Sequence, residues 1–200
     1  MARDEERRLR FDALFRENIT GVASYCGWRL RSSGDEQDAV AEVFMTAWRR
    51  LDDVPEGEAA RPWIYATARR VMANQVRANA RRARLHEKLS AVPVVESRGE
   101  PNNGDPAAEL VYEVLHCLKP LDREVLLLAE WEGLSPVEIA VVMHCPAVTA
   151  RGRLHRARRR FRAAYQESQA QSDAYEARRQ SPEGDTARFI QPSRQIASQR

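Results

Sequence analysis

Arginine gives this chain its clearest chemistry, and it is concentrated between Arg151 and Arg162. That stretch contains seven arginines and no acidic residue. A guanidinium group bonds phosphate oxygens, and it also matches the two acceptors that guanine presents in the major groove. On a helix, such a set of cations predicts a surface that binds DNA, although a cationic helix face can also be merely solvated.

The residues just before this stretch have the pattern of a short capped helix and a turn. Ser135 can cap the helix, Pro136 takes the tolerated first position, and Glu138 completes a capping box. An apolar face follows, and the sequence His-Cys-Pro at 144–146 ends the helix. A capped helix, a turn and a cationic helix in this order predict a helix-turn-helix whose second helix enters the major groove.

A second basic helix is predicted between Arg61 and about Leu89, where eight basic residues accompany one acid, Glu87. Its first turn carries Trp63 and Tyr65. Surfaces that bind single-stranded DNA combine cations for the phosphates with aromatic rings for stacking bases. This helix therefore suits a single strand, although both aromatic side chains could instead belong to the protein core.

Cysteine, histidine and acidic residues give weaker signals. The pairs His116–Cys117 and His144–Cys145 lack the CxxC and HxxxH spacings of zinc sites, so we expect buried structural cysteines. Acidic residues between 35 and 42 could hold the metal ions of a nuclease, but negative charge at a helix N-terminus explains them more simply. The sequence therefore predicts no catalytic residue, no metal site, no cofactor and no enzymatic activity.

The spacing of apolar residues predicts an all-α fold, since the alternation typical of strands is scarce. A first helix is expected over 9–30, and a second follows the cap region 33–38 and ends at about Leu51. Further helices are expected over 61–89, 107–118 and 122–132, followed by the helix-turn-helix. The stripe of the second helix that should face the core consists of Val40, Val43, Phe44, Ala47, Trp48 and Leu51.

Changes in composition divide the chain. Residues 90–106 contain prolines, glycines and paired asparagines, which is typical of a flexible linker. We therefore predict two small helical domains, 9–89 and 107–166, joined by the linker 90–106. The segment 167–200 is rich in Gln, Ser, Arg and Ala and is predicted to be a C-terminal tail, disordered from 168 onwards unless a partner orders it.

Composition also limits the cellular setting. The chain has 200 residues, of which 43% are hydrophobic and 30% charged, and its net charge is +3. No apolar run has membrane-spanning length, and the N-terminal sequence MARDEERRLR lacks the core of a signal peptide. We therefore expect a cytoplasmic protein with no membrane partner.

Three segments resemble motifs of one protein family. DEQDAVAEVFMTAWRRL, from Asp35, looks like the pattern D-x-E-D-L-V-Q-E-x-F-x-x-A-W, and RPWIYATARRVMANQVR, from Arg61, is similar to a W-L-Y-x-I-A-R-N helix. LKPLDREVLLLAEWEGLSPVEIAVVMHCPAVTARGRLHRAR, from Leu118, resembles the region 4 pattern. The family is the extracytoplasmic-function (ECF) sigma factors of bacterial RNA polymerase, group 4 of the sigma-70 family, which have only regions 2 and 4. The resemblance covers roughly residues 9–166.

The resemblance implies a promoter-specificity subunit that binds core RNA polymerase, recognises −35 and −10 elements and initiates transcription of a specific regulon. It implies contact with the clamp coiled coil of the polymerase largest subunit through Asp38, Glu42 and Arg49, and contact with the second-largest subunit. By the same resemblance the linker threads the active-site cleft and the RNA exit channel. Promoter DNA and an anti-sigma factor are the other partners that it implies.

The resemblance also implies which residues contact DNA. The loop 52–60 would capture a flipped base of the −10 element, with Asp52 and Asp53 accepting from exocyclic amines. The −10 contacts on the following helix would be Arg61, Trp63, Arg69, Arg70, Asn74 and Arg77. At the −35 element, the positions that face base edges would be Arg151, Gly152, His155 and Arg156. The phosphate contacts there would be Thr149, Arg153, Arg158 and Arg159.

A stand-alone helix-turn-helix regulator is the alternative function. Such a protein normally dimerises to read two half-sites. The sequence contains no heptad pattern that would form a dimer helix, so it favours the sigma factor.

Overall fold

The computed structural model describes residues 2–30, 33–87 and 105–180, and it confirms the all-α fold. No strand occurs in these ranges. None of the described helices combines the length and the apolar character needed to cross a membrane. The α-helices are α1 (Ala2–Gly27), α2 (Ser33–Arg49), α3 (Ala60–Glu87), α4 (Pro106–Cys117), α5 (Pro120–Leu126), α6 (Pro136–Val142) and α7 (Ala147–Gln180).

Helices α1, α2 and α3 pack against one another as a bundle, the N-terminal unit. Their apolar side chains recur at helical spacing, which lets each helix bury one face. Val22, Val43, Ile64 and Met72 lie at the centre of this bundle and are almost inaccessible to solvent. The first helix begins at Ala2, earlier than the predicted residue 9.

Helices α4 to α7 form a second bundle, the C-terminal unit. α7 packs against α4, α5 and α6. Leu115, Val125, Ile139 and Leu154 are buried between these helices, so the apolar face predicted for α6 does reach a core.

The helix predicted over 122–132 is present but not uniform. α5 ends at Leu126, and the chain continues as a π-helical segment over Leu127–Trp131. A π-helical turn adds one residue per turn and so shifts the side-chain register. In this segment Leu128 is buried, whereas Glu130 and Trp131 are exposed.

The helix-turn-helix is confirmed, together with its capping box. Ser135 Oγ accepts a hydrogen bond from Glu138 N, and Glu138 Oε2 accepts one from Ser135 N at 2.7 Å. His144 has a φ of 49°, in the left-handed region, and the Cys145 N–H then donates to Ala140 O at 3.0 Å. This geometry ends α6 and directs the chain into α7.

α7 extends well beyond the predicted boundary at 167. It runs without a break from Ala147 to Gln180. The prediction of disorder is therefore wrong for 168–180, where Ala, Gln and Glu favour a helix. The rest of the predicted tail, 181–200, and the linker residues 90–104 lie outside the described residues, and the predicted domain boundaries stay predictions.

The two units touch each other, chiefly through α3 and α6. Trp28, just after α1, packs beside Tyr112 of α4 and edge-on against Trp131, with ring centroids 5.6 and 5.5 Å apart. The apolar core is continuous from one unit to the other. The polar contacts across this boundary involve several residues predicted to bind DNA.

Candidate nucleic-acid interface

The first turns of α7 present a cationic surface. Leu154 and Ala157 are buried against the C-terminal unit, and this leaves Arg151, His155 and Arg159 exposed along one stripe of the helix. The stripe is the face that a recognition helix turns to DNA. The structure thus brings three of the predicted −35 residues together on one exposed surface, whereas Thr149, Gly152 and Arg153 are half-buried.

Two arginines of α7 form ion pairs with the rest of the C-terminal unit. Arg158 Nε donates to Glu130 Oε1 at 2.7 Å, and Arg160 pairs with Asp122. These pairs fix α7 against α5 and the π-helical segment. Within the described ranges, the predicted DNA-binding arginines of α7 that make no ion pair are Arg151, Arg153, Arg156 and Arg159.

Gly152 and Thr149 occupy different settings on α7. A Cβ atom built on Gly152 would lie 3.3 Å from Arg156 Nη1, so the bare glycine leaves room for that guanidinium group along the helix. Thr149 is half-buried in the first turn, where its N–H donates to Pro146 O. Gly152 therefore affects where the guanidinium group of Arg156 lies.

Three of the predicted −10 contacts on α3 share one flank, whereas Arg61 and Arg69 bond to residues of the C-terminal unit. Arg70, Asn74 and Arg77 are exposed at i, i+4 and i+7 spacing, and Arg77 Nη2 donates to Asn74 Oδ1 at 2.6 Å. Trp63 is half-buried against the core. Tyr65 is 1% exposed and belongs to the core, so it presents no ring face to a base.

The loop between α2 and α3 borders a groove against α1. The groove has a volume of about 370 Å³, and its lining includes Arg10, Glu17 and Pro55. Asp52 and Asp53 do not line it: Asp52 pairs with Arg7 at 2.5 Å, and Asp53 pairs with Arg50 at 2.9 Å. The charged side chains that line this groove are Arg10 and Glu17 of α1 and Glu56 of the loop. The two on α1 were not among the predicted site residues.

The outer face of α2 is partly apolar. Trp48 is 40% exposed, although the stripe pattern placed it in the core; it meets Phe11 edge-on at 5.2 Å. A shallow groove of about 350 Å³ runs beside Trp48 and Met45. The predicted polymerase contacts Asp38, Glu42 and Arg49 are exposed on this helix, and Arg49 lies 3.5 Å from Glu42.

Glu124 is a buried carboxylate whose partners all come from the N-terminal unit. Its side chain is 2% exposed, and Oε1 lies 3.0 Å from Tyr25 Oη, 2.6 Å from Arg29 Nη1 and 2.9 Å from Arg69 Nε. Burial, and then the negative charge of Glu124, raise the pKa of Tyr25 well above its usual value. Tyr25 therefore stays a neutral donor to this carboxylate.

Glu132 forms a second buried contact between the units. Tyr65 Oη donates to Glu132 Oε2, and Arg61 Nη2 donates to the main-chain O of Glu132. Burial raises the pKa of Glu132, while the Tyr65 hydroxyl and the Arg61 charge act in the opposite direction. Arg70 also approaches the C-terminal unit, with Nη2 3.5 Å from His144 Nε2.

The cysteines are only partly as predicted. Cys26 is fully buried, and burial raises its pKa to about 12, so it behaves as an apolar core residue. Cys117 is exposed and Cys145 half-buried, so the prediction of a buried cysteine is wrong for Cys117. In the described parts of the chain, no three His, Cys, Asp or Glu side chains come together as a metal site.

Residues that sequence reasoning missed lie on α1 and in the C-terminal unit. Arg10 and Glu17, which are i and i+7 on α1, share the face that borders the loop groove. That spacing was visible, but nothing in the sequence placed the loop against α1. Glu124 and Glu132 gave no local signal at all, because their partners are 55 or more residues away.

Comparison with known families matches both units. The family model described as Sigma-70 region 2 matches residues 14–82, and the one described as Sigma-70, region 4 matches residues 108–161. The chain is also 32% identical over 136 residues to the ECF RNA polymerase sigma-E factor of Escherichia coli, covering 63% of this chain and 71% of that protein. It is 32% identical over 134 residues to the RNA polymerase sigma-H factor of Pseudomonas aeruginosa, covering 62% and 69%.

Two solved structures show a similar fold. One is the sigma factor RpoE in complex with the anti-sigma factor NepR from Bartonella quintana, with a TM-score of 0.62 and 18% identity, covering 78% of this chain and 96% of that one. The other is CnrH in complex with the cytosolic domain of CnrY, with a TM-score of 0.54 and 24% identity, covering 76% and 85%.

Proposed function

This chain belongs to the extracytoplasmic-function sigma factors of bacterial RNA polymerase, and we propose that α7 and α3 divide the recognition of its promoters. It is a promoter-specificity subunit, with region 2 in the N-terminal unit and region 4 in the C-terminal unit. The observation that carries the division is the separate cationic surface on each unit. One lies on the second helix of a helix-turn-helix, and the other follows a loop that borders a groove.

The −35 element is assigned to the first turns of α7. Arg151, His155 and Arg156, beside Gly152, would face base edges, because they are exposed at the N-terminal part of the recognition helix. The phosphate contacts would be Thr149, Arg153, Arg158 and Arg159. Arg158 must exchange Glu130 for a phosphate, and this exchange costs little free energy because the pair is half-exposed.

The −10 element is assigned to α3 and the 52–60 loop. Two residues further along α3, Asn74 and Arg77, would hold the single strand far from the loop. Nearer the loop, the strand would contact Arg61, Trp63, Arg69 and Arg70. The groove between the loop and α1 is the candidate pocket for a flipped base. A purine or pyrimidine ring needs polar edges to bond, and Arg10 and Glu17 supply a donor and an acceptor there.

Core polymerase would bind the exposed face of α2. Asp38, Glu42 and Arg49 would contact the clamp coiled coil of the largest subunit, and the half-exposed ring of Trp48 adds apolar area to this surface. Region 4 would contact the second-largest subunit. Catalysis would belong to the polymerase, and the chain would work in the cytoplasm without a cofactor.

An anti-sigma factor is a further proposed partner. The two structurally similar sigma factors were solved as complexes, one with an anti-sigma factor and one with the cytosolic domain of CnrY. The exposed apolar groove beside Met45 and Trp48 is a surface that such a protein would cover.

A transcription experiment tests the assignment of the two surfaces. Purified chain and core polymerase would transcribe a fragment library randomised at the −35 and −10 positions, and sequencing of the transcripts would give the preferred promoter. We expect a two-part motif of fixed spacing, altered only upstream by Arg151→Ala and only downstream by Arg77→Ala. Arg16→Ala, an exposed arginine of α1 outside both surfaces, is the matched control.

Two outcomes of this experiment would contradict the assignment. If either arginine variant altered both halves of the motif equally, the division between α7 and α3 would be wrong. If the chain formed no complex with polymerase and bound a palindromic site as a dimer, it would be the stand-alone regulator.

A further inference from the structure

The exposed stripe of α7 begins with an apolar side chain. Val148 lies three residues before Arg151 and seven before His155, so the three side chains follow one line along the helix. Val148 is 73% exposed, whereas its neighbour Ala147 packs against the core. A valine therefore lies at the N-terminal end of a surface whose other members are arginines and a histidine.

The folded chain alone does not explain this valine. Leu154 and Ala157 are the side chains that bury α7 against the C-terminal unit, and Val148 adds little buried area to that contact. Valine is also less favourable than alanine in a helix, because its branched side chain loses rotamer freedom there. The side chain thus exposes apolar surface at the part of a recognition helix that meets base edges.

Two apolar surfaces adjoin each other at the start of α7, and they face different partners. On α6, the exposed side chains of Val137 and Val141 line a shallow groove of about 480 Å³ that extends to Ala147. Val148 belongs instead to the stripe that carries Arg151. Its position on this stripe favours DNA, rather than another protein, as its contact.

Thymine offers the apolar group that fits this position. Of the four bases, it alone presents a methyl group in the major groove, beside its O4 acceptor. Three residues of an α-helix rise about 4.5 Å, and successive nucleotides of one strand are about 3.4 Å apart. Val148 and Arg151 can therefore contact neighbouring base pairs.

We propose that Val148 contacts the 5-methyl group of a thymine in the −35 element, at the base pair next to the one that Arg151 reads. The proposal rests on the assignment of α7 to the −35 element. The contact removes the valine side chain and the methyl group from water together, which is favourable. This chain therefore selects promoters that have an A·T pair at that position.

Replacement of single thymines by deoxyuridine tests the proposal, because it removes one methyl group and keeps the base pairing. The probes are duplex promoter fragments with the motif found by the library experiment, each with one −35 thymine replaced on either strand. Polymerase reconstituted with the full chain is titrated against them. We expect one replacement to weaken binding about fourfold, the effect of burying one methyl group, and we expect Val148→Ala to abolish that difference.

The matched control is Val141→Ala, which removes the same atoms from an exposed valine of α6. It should keep the wild-type response to every deoxyuridine probe. The proposal is overturned if Val148→Ala keeps that response too, or if the wild type binds all the probes equally. It is also overturned if both alanine variants weaken binding to core polymerase without DNA and leave the deoxyuridine response unchanged, since both valines would then contact protein.

Arg151→Ala separates failure of this proposal from failure of the assignment of α7. If Arg151→Ala alters the upstream half of the motif while no deoxyuridine changes the affinity of the wild type, α7 reads the −35 element without Val148. If Arg151→Ala leaves the upstream half unaltered, the assignment of α7 is itself wrong.

Discussion

Gly152 offers a test of how α7 sets base preference, because the absence of a side chain there leaves room for the guanidinium group of Arg156. A Cβ atom at this position would lie 3.3 Å from Arg156 Nη1. The guanidinium group is the flexible end of a long side chain, so it can move away by a few tenths of an ångström. Gly152→Ala should therefore move Arg156 without disrupting α7.

Two free energies set the expected magnitudes. Glycine inside a helix is less favourable than alanine by about 1 kcal/mol, so the free energy of unfolding should rise by about 0.5–1 kcal/mol after the small cost of moving Arg156. A bidentate contact between arginine and guanine discriminates by about 1–3 kcal/mol, or roughly 5- to 150-fold. Displacement of Arg156 should reduce discrimination at its base by some part of that range.

The assay pairs chemical denaturation with run-off transcription from promoters that differ at single −35 positions. The control is Arg156→Ala alone and in combination with Gly152→Ala. If Gly152 acts through Arg156, the double variant should have the base preference of Arg156→Ala. A loss of stability in Gly152→Ala, or a change of preference that persists without Arg156, would refute this account.

Other substitutions and labels test the remaining surfaces. Arg151→Ala should reduce discrimination at one −35 base by about 1–3 kcal/mol with unchanged affinity for core polymerase; an equal loss on all promoter sequences would make it a phosphate contact. Trp48→Ala should weaken binding to core polymerase by about 1–2 kcal/mol, measured by equilibrium titration, with no change in circular dichroism. An unchanged affinity would mean that polymerase binds elsewhere. A thiol-reactive dye should label exposed Cys117 and leave Cys26 unmodified, because burial raises the pKa of Cys26 to about 12. Mass spectrometry of proteolytic peptides would show which cysteine carries the dye, and equal labelling of both thiols would contradict the burial of Cys26.

Features determined by neighbouring residues were predictable from the sequence. The capping box of Ser135 and Glu138 and the turn at 144–146 after α6 depend on contacts within a few residues, and the structure contains both. The cationic stripe of α7 likewise depends on helical spacing alone. Local rules could not give the extent of α7, because composition that suits a polar tail also suits an exposed helix.

Features that depend on distant contacts were not predictable. An apolar stripe does not tell whether a ring such as Trp48 faces the core or a partner, since both need the same spacing. Glu124 is one acid among many in the sequence, and its partners Tyr25, Arg29 and Arg69 are 55 to 99 residues away. The groove between the loop and α1 arises in the same way from the packing of Arg10 and Glu17 beside Pro55.

The unbroken helix from Ala147 to Gln180 extends well beyond the packed part of region 4. Phe161 and Tyr165 stack on each other at 6.0 Å near the last half-buried positions. At a rise of 1.5 Å per residue, Gln180 lies about 22 Å further along the axis than Tyr165. A fluorophore at position 175 would therefore rotate with the recognition helix while staying clear of the DNA surface. Its anisotropy and energy transfer would report the orientation of region 4 during promoter opening.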